Sequence, residues 1–232
     1  MIEKLEDTLN GGYEGLYGEV VTQDEYMLRK LQFIPDVVID LGANVGVFTR
    51  FARELFPEAL IISVEPNPLN YEHLVKFTPP DEKIITINKV VGGKGTVWHY
   101  KDAENGAHEC YLSDGLGYDK NLLANEEMIG GCIEIANIET VMPHELINKY
   151  VKQGQKYIIK IDIEGNEHTF WSNAETMKAI ANAEYICMEI HFYALHGGAL
   201  EEVRTKTIEA FTKLQETHWC FLNHTMFFAL KK

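Results

Sequence analysis

Cysteine is scarce in this chain. Four residues out of 232, Cys110, Cys132, Cys187 and Cys220, lie far apart and form no CxxC pair, so neither a disulfide framework nor a zinc knuckle is indicated. Long apolar runs are missing too. None approaches the length of a membrane span, and the opening "MIEKLEDTLN" mixes acids and bases without an apolar signal core. The expectation is a cytoplasmic protein whose cysteines stay reduced and serve packing. Basic residues are outnumbered by acidic ones, 21 to 35, for a formal charge of −14. Its far field repels polyanions, which disfavours nucleic acid and anionic membrane as default partners, a local basic pocket aside, and favours small molecules. No internal repeat or low-complexity linker divides the chain.

What is present is ordinary globular material, 46% apolar and 24% charged, and a chain of this length buries about 70% of its extended surface. Residues 1–36 are polar and glycine-bearing, with a helical pattern in "TQDEYMLRKLQF", and read as an N-terminal cap. From residue 37 to 232 short apolar runs alternate with helically spaced ones. "DVVID", "LIISVE", "KIITINKVV", "CIEIANIETV", "YIIKIDI" and "YICMEIHF" read as strands, and the stretches between several of them as helices. That alternation predicts an α/β fold, a parallel sheet sandwiched between helices. Two features break the rhythm. Residues 92–131 form an excursion in which Trp98, His99, Tyr100, His108 and Tyr111 either line a lid or build a packed β-extension. At the end "WCFLN" and "MFFALKK" are separated only by His224 and Thr225, the signature of an antiparallel hairpin.

The chemistry concentrates at Asp40-Leu41-Gly42-Ala43-Asn44-Val45-Gly46, directly after the first apolar strand. Glycines there admit positive φ and close approach of a ligand, and the following helix offers unpaired N–H groups. The glycines are four apart, so the GxGxxG pyrophosphate fingerprint is not met. Asp40 adds an electrostatic objection: a carboxylate repels a diphosphate and attracts a cation. S-adenosylmethionine carries an ammonium and a sulfonium and no phosphate. Glu65, 25 residues beyond Asp40, ends the second strand, where an acid accepts hydrogen bonds from ribose hydroxyls. Asn67 either supports the same nucleoside or caps the next helix.

"DLGANVG" resembles motif I of class I S-adenosylmethionine-dependent methyltransferases. Together with "SVEPNPLNYEHL" and "IIKIDIEGNE", over residues 37–190, it resembles the FkbM family. The resemblance implies a three-layer Rossmann-like sandwich with a seven-stranded, mostly parallel sheet. It also implies S-adenosylmethionine as cofactor, held by Asp40, Gly42, Asn44, Gly46, Glu65 and Asn67, and a 37–232 methyltransferase domain. The acceptor it implies is a hydroxyl on a sugar, polyketide or related small metabolite, with no nucleic acid or membrane partner and no oligomeric state specified.

Asp162, Glu164 and His191 are the candidates for the reacting end. Asp162 closes the fourth strand beside the first and shares a face with Lys160, so the two can pair. Carboxylates there can orient a hydroxyl, take its proton or stabilise a cation. Glu164 and Glu167 are alternatively solvated acids at a helix start, and His191 is a base, a substrate contact or a rim histidine. Asp162, Glu189 and His191 could also meet around a divalent cation, but no compact ligand motif supports it and no metal is assigned. Two other readings stay open: a non-catalytic module that keeps the fold to sense a metabolite or hold a partner, and an NAD-dependent dehydrogenase.

Overall fold

The computed structural model describes residues 13–78, 83–92, 96–100, 110–113, 132–135, 138–164, 166–191 and 197–232, and gives only backbone for 96–100, 110–113, 132–135, 168, 170 and 197–200. The first element among the described residues is a short helix α1 (Glu14–Tyr17), followed by β1 (Val37–Leu41), α2 (Val47–Leu55), β2 (Leu60–Val64), α3 (Pro68–Phe77) and β3 (Ile84–Ile87). Five short strands come next: β4 (Val90–Val91), β5 (Thr96–Tyr100), β6 (Cys110–Ser113), β7 (Cys132–Ile135) and β8 (Thr140–Val141). The rhythm then resumes with α4 (Pro143–Tyr150), β9 (Tyr157–Ile161), α5 (Ala174–Ile180), β10 (Tyr185–Glu189), α6 (Gly197–Leu214), β11 (His218–Asn223) and β12 (Met226–Lys231).

Seven of these strands make one sheet in the order β11-β12-β10-β9-β1-β2-β3. The central strands β1 and β9 are buried at every position, which is why their sequences are unbroken apolar runs rather than alternating ones. Neighbours from β3 to β10 run parallel, and β12 runs antiparallel to both β10 and β11. The C-terminal hairpin closes through His224, which adopts φ +51, and pairs Asn223 with Met226.

Helices cover both faces. One face packs Ile39, Ile159 and Ile186 against Leu146 and Ile147 of α4, Ile180 of α5 and Leu214 of α6. The other packs Val38, Ile61 and Ile158 against Val47, Phe48 and Phe51 of α2 and against Val20, Tyr26 and Leu28 of the N-terminal segment. The architecture is therefore the expected Rossmann-like three-layer sandwich, a seven-stranded, mostly parallel sheet ending in an antiparallel hairpin.

Three local expectations fail. The predicted helix in 22–33 is replaced by a π turn at Gly18–Thr22 and one 3-10 turn at Leu28–Lys30. Asp24 and Met27 both take left-handed φ of 54°, and the Asp24 carboxylate accepts the backbone N–H of Arg29 at 3.1 Å. Such side-chain to backbone bonds compete with helix, and the kinks turn Tyr26 and Leu28 into the core. The run 83–91 is not one strand. After Ile87 the Asn88 amide donates to the carbonyls of Glu65 and Pro66 at 2.8 and 3.0 Å, and Val90–Val91 pairs instead with β8. The run 132–141 also splits, because β7 joins β5 and β6 in a separate three-stranded antiparallel sheet. Part of the excursion is thus a β-extension. The side chains of Trp98, His99, Tyr100 and Tyr111, and the whole of His108, lie outside the described residues.

Candidate functional site

Strand order reverses at β1: its successor β2 lies on one side and β9 on the other. Loops leaving the carboxyl ends of β1 and β9 diverge there, and a crevice opens. It encloses about 780 Å³, with open solvent at the mouth included, between the turn Gly42–Asn44, the end of β2 at Glu65 and Pro66, and the end of β9 from Lys160 to Asn166. Leu16, Val20, Tyr26 and Phe48 form an apolar wall.

At one end the glycine turn is fixed by geometry that only glycine meets. Gly42 has φ +81, and a Cβ there would stand 1.7 Å from the carbonyl oxygen of Asp162. Gly46, at φ +95, is the N-cap of α2 and faces Leu74 at 2.8 Å from the place of a Cβ. Between them Asn44 takes φ +50, and its backbone N–H donates to Oε2 of Glu65 at 2.8 Å. The other oxygen of Glu65 accepts the N–H of Asn67 at 2.8 Å. Burial pushes the Glu65 carboxyl up to about 7, against the pull of those two N–H donors. The Asn67 side chain accepts from the N–H of Leu69 at 3.0 Å. It is the N-cap of α3, with Pro68 at the first helical position.

Asp40, expected to answer the cofactor's positive charge, is not among the residues lining the crevice. It is fully buried behind the wall, accepting the Thr49 hydroxyl at 2.7 Å, and it is the register partner of Lys160 on β9. The Lys160 ammonium lies 3.4 Å from Asp40 Oδ1 and 3.3 Å from Asp162 Oδ2, and donates to the Gly42 carbonyl at 2.6 Å. Burial pulls the Lys160 ammonium down, but Asp162 and Asp40 outweigh it and hold the charge in place. The Lys160 to Asp162 pair expected from strand alternation is present. The extra partners, Asp40 and the turn carbonyl, make Lys160 a clamp between the two loops.

At the other end Asp162 and Glu164 line the cavity, and His191 stands beside them. Burial raises the Asp162 carboxyl, yet Lys160, His191 and the Tyr26 hydroxyl outweigh it and leave it below the usual carboxylate value. The His191 Nδ1 lies 3.1 Å from Glu167, while Nε2 faces Glu164 at 3.6 Å, Glu189 at 3.7 Å and Asp162 at 3.9 Å. Burial lowers the imidazole, but Glu167, Glu164 and Asp162 carry it up to about 10. The surrounding carboxylates therefore favour the charged form of His191, as their partner. Asp162, Glu164 and His191 each place a ligand atom within 4.8 Å of the others. Among the described residues this trio, with Glu164 in place of Glu189, is the set close enough to hold a divalent cation, which the imidazole would ligate only after giving up its proton.

Sequence reasoning passed over several wall residues. Asn166 sits inside the quoted "DIEGNE" motif, so its signal was available; its amide donates to the Val91 carbonyl. Tyr26 reaches Asp162 across 136 residues of sequence, which no local pattern encodes.

The cavity fits S-adenosylmethionine on the chemistry of its donor set. Two buried acceptors in its wall, Oδ1 of Asn44 and Oδ1 of Asn166, have no hydrogen-bond partner among the described residues, a costly state that a ligand's N–H or O–H groups relieve. A family model for the methyltransferase FkbM domain matches residues 40–209. The chain belongs to the FkbM methyltransferase family. S-adenosylmethionine is the cofactor that membership brings. The methyltransferase sdnD of Sordaria araneosa is 22% identical over 188 residues, covering 66% of this chain and 65% of that relative, so the chain spans just under two thirds of its length. Among solved structures, the Methanococcus jannaschii fibrillarin pre-rRNA processing protein aligns at TM-score 0.46 and 11% identity, covering 92% of this chain and 76% of that one. A methyltransferase from Geobacter sulfurreducens aligns at 0.41 and 8%, covering 90% and 76%. Neither likeness is near enough to add to the strand order. No helix among the described residues is long and apolar enough to cross a membrane.

Proposed function

We propose that this FkbM-family chain transfers the methyl group of S-adenosylmethionine to a hydroxyl of a sugar, polyketide or other small metabolite. The observation that carries the reading is the sign of the charge in the cavity wall. Asp162 and Glu164 line it beside Glu65, which would serve a ribose in either cofactor, and the one base among its described lining residues, Lys160, is committed to Asp40 and Asp162. Such a wall attracts a sulfonium and an ammonium and repels a diphosphate, which disfavours an NAD-linked dehydrogenase.

Bound there, the cofactor supplies an electrophilic methyl group on a positively charged sulfur. The chain supplies the rest. Glu65, fixed by the N–H groups of Asn44 and Asn67, keeps lone pairs for ribose hydroxyls. Gly42, Asn44 and Gly46 shape the turn against the nucleoside. Asp40 acts through Lys160 by holding the turn carbonyl, and Asn67 acts through Glu65. Asp162, ionised across the neutral range, accepts a hydrogen bond from the acceptor hydroxyl and aligns its oxygen, so that positioning rather than proton abstraction is its larger contribution. Glu164 and the His191 imidazolium fix the charge around it.

Calorimetry with S-adenosylhomocysteine and NAD tests the cofactor, and methyl-tritiated S-adenosylmethionine with a pool of methyl glycosides, hydroxylated macrolactones and catechol tests the acceptor. Binding of S-adenosylhomocysteine and label in an alkali-stable ether product support the reading. Binding of NAD alone, or label on nitrogen, defeats it. Binding without transfer to any hydroxyl favours the non-catalytic sensing module.

A further inference from the structure

Residues 13–33 lie outside the matched family domain, 40–209, yet Leu16, Val20 and Tyr26 line the cavity. Tyr26 is the residue of that segment that touches the reacting end. Its hydroxyl donates to Oδ2 of Asp162 at 2.8 Å, the same oxygen that Lys160 approaches at 3.3 Å. The second oxygen, Oδ1, is the one directed toward His191 at 3.9 Å.

The ring is not placed by chance. It is 4% exposed and meets Phe48 edge-on at 5.2 Å. Its backbone carbonyl accepts the hydroxyl of Tyr185 on β10 at 3.0 Å, and the left-handed Met27 turns the chain immediately after it. Lys160 lies 5.5 Å from the Tyr26 centroid and 5.7 Å from that of Phe48, within reach of a cation–π attraction. A phenol held from one side and an ammonium from the other leave a carboxylate little rotational freedom, and a group fixed before substrate arrives need not be ordered during reaction.

We infer that Tyr26 is a positioning residue for methyl transfer: it pins Oδ2 of Asp162, so that Oδ1 is presented to the acceptor, and thereby makes the N-terminal segment part of the active site. The inference rests on the role proposed for Asp162.

The test uses full-length protein labelled with carboxyl-13C aspartate, saturated with S-adenosylhomocysteine at fixed pH, with the Asp162 signal assigned by its loss in Asp162→Asn. Tyr26→Phe should shift that signal, and Tyr157→Phe, which removes a buried phenol bonded to the Ala179 carbonyl and touches neither Tyr26 nor Asp162, should not. The affinity for S-adenosylhomocysteine should stay within about twofold in both. With a compound methylated in the pooled assay, Tyr26→Phe should lower kcat about tenfold or more and leave KM nearly unchanged. An unmoved Asp162 signal in Tyr26→Phe, or equal effects of the two phenol deletions, overturns the inference and leaves Tyr26 a packing residue. If Asp162→Asn itself transfers methyl at the wild-type rate, the assignment of Asp162 fails first and the positioning role falls with it.

Discussion

The ammonium of Lys160 and the carboxylate of Asp40 face each other at 3.4 Å from register-paired positions on adjacent parallel strands, 3% and 0% exposed. The pair lies under the cofactor turn, and its partners Gly42 and Asp162 belong to the two loops that form the crevice. Removing one member of a buried pair strands the other charge, which costs about 3–5 kcal/mol. Lys160→Met should therefore lower unfolding stability by that order in urea titration. Adding Asp40→Asn to it should return part of the loss, because the stranded carboxylate is gone. A double variant less stable than Lys160→Met alone would contradict this.

Glu65 provides a pH signature. Its carboxyl is raised by burial to about 7, whereas the unfolded group titrates near its ordinary value of about 4.3. The folded apoprotein therefore holds the proton between those values, and this group's contribution to stability declines as pH rises from the lower to the higher. Ribose hydroxyls bind the ionised form, so ligand affinity should move the opposite way. Calorimetric affinity for S-adenosylhomocysteine should tighten as pH increases from 6 to about 7.5 and then level off. In Glu65→Gln that rise should vanish, any ligand-borne titration being common to both proteins.

Asn67 separates a cap from a direct ligand contact. Its side chain serves the N–H of Leu69, so Asn67→Ala should cost about 1 kcal/mol by thermal or urea unfolding. Affinity for S-adenosylhomocysteine should change less than threefold, because the backbone N–H that binds Glu65 survives the substitution.

Asp162→Asn is expected to leave S-adenosylhomocysteine bound and to cut transfer about 10²-fold or more, read with whichever pooled hydroxyl compound takes up label. Equal losses of binding and turnover would move Asp162 from the acceptor end to the donor end.

The parallel core was legible because β1, β2, β9 and β10 are short apolar runs separated by helix-spaced stretches, a pattern set by burial of nearly every side chain. The hairpin was legible from two residues between two apolar runs. Asp162 and Lys160 were placed together by strand alternation, a local rule. The N-terminal segment was misread because its apolar spacing suits a helix, while Asp24, Met27 and the docking of Tyr26 against Phe48 decide its path from outside the window. Asp40 was legible as a carboxylate at the glycine turn but not its direction, because the sequence does not show that Lys160 on a distant strand lies in register with it.

Gly42 deserves comparison with Gly154, a glycine of similar φ, +85, whose Cβ would meet nothing within 4 Å. Gly154→Ala should lower the melting temperature only by the strain of a left-handed alanine, of order 1 kcal/mol. Gly42→Ala drives a methyl group into the Asp162 carbonyl and should abolish S-adenosylhomocysteine binding, or folding itself, by the same two assays.

That missing Cβ has a wider consequence. With backbone against backbone at Gly42 and Asp162, the loop proposed to grip the nucleoside and the loop proposed to meet the acceptor share a single thickness of chain. A shift in either is transmitted to the other without a cushion of side chain between them. Donor grip and acceptor aim are for this reason one mechanical property of the protein, and engineering a new acceptor specificity through residues 162–164 would retune the hold on the methyl donor at the same stroke.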